Sequence, residues 1–177
     1  MKRPIKQAYN IFLRYLLLLI LAIPNLYLFY LVFTPLTIYP VYFLLNLFYD
    51  AVLVKNLIIL NSSLPILLIP ACIAGAAYYL LLILNLSTPG LKPKLRFKMI
   101  AYSFLSLLIL NILRIFFLSI MAFSNSVFFD ITHKIFWYAV STLFVVVIWI
   151  FQVNKYKVKQ IPFYSDLKFL YKNLFKK

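Results

Sequence analysis

One cysteine, one histidine and one isolated arginine are the residues of this chain best suited to chemistry. Cys72 is its only thiol, His133 its only imidazole, and Arg114 the only charge in the apolar run Met99–Phe123. A cysteine nucleophile needs a base or a neighbouring cation to raise its thiolate fraction. Histidine supplies the base, and arginine can donate hydrogen bonds to the oxyanion formed when a thiolate attacks a carbonyl. The three residue types together suit acyl transfer or peptide cleavage. Their use depends on the elements that carry them.

Those elements are membrane helices. Hydrophobic residues make up 66% of the chain and charged residues 12%, about half the charge of a soluble domain. The composition predicts an all-α, polytopic integral membrane helical bundle of four to six transmembrane helices, a single domain over 1–177. The net charge of +15 is bunched between the apolar runs. Lys2 to Arg14, Lys92 to Lys98 and Lys155 to Lys177 hold 15 of the 18 basic residues. Such clusters hold short loops in the cytoplasm and touch anionic headgroups, so nucleic acid is not the expected partner. One cysteine excludes a disulfide framework and a CxxC pair. No metal or cofactor is expected, because Asp50, Asp130, Asp166 and His133 make no ligand cluster.

A span needs ~20 residues to cross ~30 Å of hydrocarbon, and apolar runs place spans at about 15–33, 67–86, 99–123 and 133–153. Pro24 is expected to kink the first. The basic N-terminus and the basic tail 155–177 put both ends in the cytoplasm. Residues 35–70, with Pro35, Pro40, Pro65 and Pro70, form interfacial or re-entrant structure or two short spans, giving four or six crossings in all. Val52–Ile59 and Pro65–Ile69 contain β-prone residues, but open strands are not tolerated in hydrocarbon.

On this threading the three residues share a depth. At ~1.5 Å per residue Cys72 stands ~21 Å above Leu86, and Arg114 ~22 Å above Met99. His133 opens the last span on the same outer side. Ala71, Gly75 and Ala76 beside the cysteine allow another backbone to approach closely. Asn111 lies one turn before Arg114 on the same face, and Asp130, one turn before His133, is placed to orient its ring.

The elements Ala71-Cys72-Ile73-Ala74-Gly75, Asn111-Ile112-Leu113-Arg114 and Thr132-His133 resemble those of the exosortase/archaeosortase family. That family carries a Cys among small residues, an Asn-x-x-Arg element in the next helix and a His at the outer start of the one after. The likeness covers roughly Ile66–Phe151. The family usually places a small hydroxyl residue after its Cys, where this chain has Ile73. The resemblance implies a compact archaeal member, a cysteine transpeptidase in the cell membrane with its site facing outside. Cys72, Arg114 and His133 would be catalytic, and Asn111 a supporting partner. It also implies substrates: membrane-anchored secreted proteins ending in a short motif, an apolar helix and a basic cluster, cleaved and transferred to a membrane lipid. The composition also suits two rivals, a non-enzymatic small-molecule-binding transporter subunit and a membrane assembly factor.

Overall fold

The computed structural model describes residues 3–23, 25–158 and 160–174. It is mostly helical, in the order α1 (Arg3–Ala22), α2 (Tyr27–Asn46), three strands, α3 (Pro70–Ile73), α4 (Gly75–Leu86), α5 (Pro93–Phe123), α6 (Phe129–Ile135), a π-helical turn (Phe136–Val140), α7 (Ser141–Lys155) and α8 (Tyr164–Leu174). Among the described residues two helices, α2 and α5, are long and apolar enough to cross a membrane. α6 and α7 make a third if taken as one span bent by 47°. α1 and the α3–α4 pair are apolar but shorter.

The first apolar run is not one helix. The chain breaks between Ala22 and Tyr27, where Asn25 and Leu26 take left-handed backbone angles (φ 49° and 59°). Pro24, the expected kink, lies outside the described residues. The helix resumes as α2 and continues through Pro35 and Pro40 to Asn46. The first third of the stretch 35–70, expected to be interfacial, re-entrant or two short spans, is therefore the second half of a long helix.

Most of the remainder is a sheet, so the fold is not all-α. Strands β1 (Ala51–Val54), β2 (Leu57–Leu60) and β3 (Leu64–Leu67) form an antiparallel meander in that order. The turn residues Lys55, Asn61 and Ser62 have positive φ. β1 packs on α2, and Ile58 and Leu60 are fully buried. The β-branched composition of 52–59 was a true strand signal. Open strands are excluded only where lipid meets the backbone, and the buried face of this sheet rests on the end of a helical bundle.

α5 is the axis of the bundle. Phe104 meets Phe29 and Phe33, Phe116 meets Phe48, and Phe123 meets Tyr49, so α2 runs parallel to α5. α4 and α7 run against it, tied at two levels by polar groups. At one level, Asn85 donates to Ser103 Oγ (3.1 Å), Ser103 to Gln152 (3.1 Å), and Gln152 to the Met99 carbonyl (2.6 Å). All three side chains are fully buried. Interhelical bonds of this kind contribute only about 0.6 kcal/mol each, so their main effect is to fix register. The other level carries Cys72 and Arg114. At the opposite end of the bundle, Arg14 grips both carboxylate oxygens of Asp166 (3.0 and 2.9 Å) and the Leu86 and Thr88 carbonyls. That ion pair fastens α1 and α8 to the end of α4.

Candidate functional site

The site begins with a broken helix. α3 is one turn long, and Ala74 ends it in the left-handed region (φ 62°, ψ 36°) before α4 starts at Gly75. A β-carbon there costs about 1 kcal/mol relative to glycine, so the break is held by its surroundings. Gly75 is part of them. A Cβ at that position would lie 2.7 Å from the ring of Tyr30. At Gly75 the missing side chain thus makes room for an aromatic ring. Gly75→Ala is expected to lower stability by about 1–3 kcal/mol through overpacking, read as a lower thermal midpoint. Adding Tyr30→Leu should restore it.

The break frees the Cys72 carbonyl from the helical ladder, and α5 takes it up. Asn111 Nδ2 donates to it at 2.8 Å and Arg114 Nη2 at 3.5 Å. Arg114 Nη1 donates to Ser141 Oγ at 2.6 Å, and Ser141 in turn donates to the Phe136 carbonyl at 2.8 Å. That carbonyl belongs to the π-helical turn joining α6 to α7. Arg114 is 9% exposed, and its Nε is buried with no hydrogen-bond partner. The one salt bridge among the described residues is Arg14–Asp166. Arg114 is therefore a buried cation facing no carboxylate, an arrangement that carries a desolvation cost of several kcal/mol.

His133 is presented by α6. Its ring stacks on Phe129 (centroids 5.5 Å, interplanar 9°) and meets Trp137 edge-on (6.0 Å, 82°). The spacing 129, 133, 137 puts these three on one helical face. Asp130 does not orient the histidine. It sits exposed in the first turn of α6 and makes no hydrogen bond among the described residues. A carboxylate is favourable there beside the helix N-terminus, and the ring is held by its aromatic neighbours instead.

Cys72, Arg114 and His133 line one cavity of about 350 Å³. Its other walls are residues 64–68 and apolar side chains of α5 and α6. The thiol is half-buried. Arg114 also borders a second cavity of about 410 Å³, on the side of Ala71–Ala77, Ser141 and Thr142. The three residues singled out by type thus come together, with Asn111 beside them and Asp130 apart. Ser141 and Trp137 were missed. An arginine in an apolar run needs a partner on a facing helix, and Ser141-Thr142 is the hydroxyl pair the last run offers.

No protein-family model, curated protein or solved structure matches this chain.

Proposed function

We propose that this chain is a membrane-embedded cysteine transpeptidase. Cys72 would attack a main-chain carbonyl of a membrane-anchored secreted protein near its C-terminus, forming a C–S bond. The oxyanion would be met by the guanidinium of Arg114, which lines the same cavity as the thiol. Collapse of the tetrahedral adduct breaks the C–N bond, and His133 delivers to the leaving amine the proton it took from the thiol. A lipid amine or water then attacks the thioester and releases Cys72. The observation that carries this reading is the convergence of a thiol, a buried cation lacking a counterion and an imidazole, from three helices, on one cavity. The exosortase/archaeosortase likeness supplies the substrate class. The deciding test is the fate of a tailed substrate in cells carrying Cys72→Ala.

The same reading threads the bundle through the membrane four times. α1 and α2 would form one broken outward pass, α3–α4 the return, α5 the second outward pass and α6–α7 the last. The sheet and the cavity then face outside, and the basic segments and α8 face the cytoplasm. The antiparallel registers of α4 and α7 against α5 support this order, as does the positive-inside pattern. In a Cys72→Ser background, Lys94→Cys should react with an impermeant maleimide only after the membrane is permeabilised. Strong labelling from outside would reverse the orientation and remove the site from its substrates.

A further inference from the structure

The edge strand β3 lines the same cavity as the thiol. The strand order leaves β3 paired on one side only, and its register fixes which backbone groups point to the open side. The Leu68 N–H donates to the Asn56 carbonyl at 2.9 Å. In an antiparallel ladder the N–H and C=O of one residue point to the same side, and successive residues alternate. Leu64, Ile66 and Leu68 therefore face β2, while Pro65 and Leu67 face outward. The Asn61 N–H, donating to the Asp50 carbonyl at 2.7 Å, gives the same parity, because it turns residues 57, 59 and 61 toward β1. Proline itself agrees, since a residue lacking N–H is tolerated on the outward side of an edge strand.

The outward groups are the Pro65 carbonyl and the Leu67 N–H and carbonyl. None of them has a partner among the described residues. Leu67 is 60% exposed, and residues 64–68 form one wall of the cavity that holds Cys72, Arg114 and His133. Unpaired edge groups are a template for another extended backbone, which alone offers donors and acceptors at the matching repeat.

We infer that this edge binds an extended peptide as a fourth strand and so presents one of its main-chain carbonyls to Cys72. The ligand class is a polypeptide segment in β conformation, recognised by its backbone, with alternate side chains resting on the apolar cavity wall. The inference rests on the cysteine acyl-transfer reading above. Pro65 removes a donor from the edge, so the added strand is held by few bonds. That suits a substrate that must leave better than a permanent partner.

The test uses the full-length protein in liposomes and two kinds of alkylating probe. One is iodoacetamide, the other acetyl-Ala-Ala-Ala chloromethyl ketone with its mono-N-methylated analogues. In each the Cys72 sulfur displaces halide, forming a C–S bond while the thiol proton passes to buffer. Normalised to iodoacetamide and to free cysteine, the tripeptide should label Cys72 at least about tenfold faster, and one lost backbone bond should remove most of that advantage. At least one N-methylated analogue should therefore lose it, and so should Leu67→Pro, which deletes the donor on the protein side. An advantage untouched by every N-methylation overturns the strand edge and leaves the cysteine reading intact. No tripeptide advantage at a Cys72 that iodoacetamide still labels overturns peptide binding here. A Cys72 inert to all the probes sinks the nucleophile reading and the inference together. Disulfide formation between Leu67→Cys copies, in a Cys72→Ser background, would assign the edge to a second copy instead.

Discussion

Cys72→Ala leaves a tailed substrate unprocessed while the protein remains inserted and folded. Both halves of that expectation follow from which atoms of the residue are used. The groups that hold the broken helix in place, Asn111 Nδ2 and Arg114 Nη2, bond to the Cys72 carbonyl rather than its sulfur. Any residue at 72 retains that carbonyl. The thiol is half-buried at a cavity wall, so trimming it leaves a small space open to the cavity rather than a sealed void. A stability change within about 1 kcal/mol is expected. Chemistry has no such reserve. Serine places an oxygen where the sulfur was, but its hydroxyl is far less ionised near neutral pH than a thiol. Cys72→Ser should therefore be as inactive as Cys72→Ala. The measurement pairs substrate processing, read by the loss of the C-terminal tail, with the thermal midpoint of each variant. Full processing by Cys72→Ala would refute the mechanism outright. Loss of processing together with loss of folded protein would give Cys72 a packing role instead.

The sequence made the side chains of the candidate site legible because each is the rare member of its class. A lone arginine in an apolar run and a lone thiol among small residues stand out without any knowledge of the fold. Their common depth could be computed because helical rise converts residue number into height. Lateral placement could not. No spacing rule reveals that Ala74 breaks the helix and hands the Cys72 carbonyl to α5, since alanine carries no left-handed signal. Asp130 was misjudged for a related reason. Asp130 does lie inside α6 with His133, but the place against the imidazole one turn earlier is taken by the Phe129 ring. Helix spacing alone does not say which of the two neighbours, three or four positions back, a side chain meets. The segment 51–67 shows the converse failure. Its strand signal was present in Val52 to Ile59, but a rule valid for lipid-exposed backbone was applied to a sheet packed on the end of a bundle. By position Arg14 belongs to a cluster of topological charges, yet it is tied to Asp166, which is 2% exposed. Charge counting along a chain has no access to such a pairing, 152 residues apart.

Arg114→Met should separate function from stability more sharply than any other substitution. Every group that Arg114 contacts has a second partner. The Cys72 carbonyl keeps Asn111, and Ser141 Oγ keeps the Phe136 carbonyl. Removing the guanidinium therefore strands no buried polar atom, and it abolishes a buried cation that faces no carboxylate. Replacing such a charge with an apolar side chain of similar shape is neutral or stabilising, by up to about 1–4 kcal/mol where buried ion pairs have been exchanged this way. The thermal midpoint of Arg114→Met should accordingly equal or exceed that of the parent. Processing should fall by about 10²–10³-fold, the effect of losing one oxyanion donor. Arg114→Lys tests the fork separately. An ammonium keeps the charge but lacks the planar array of donors that reaches Ser141 and the Cys72 carbonyl together. It should lose most of the activity as well, without the gain in stability, because the desolvated charge remains. An unfolded Arg114→Met would mean that the arginine is a structural strut. A stable and fully active one would remove it from the chemistry. The combination of a firmer fold and a silent site is what a cation retained for catalysis predicts.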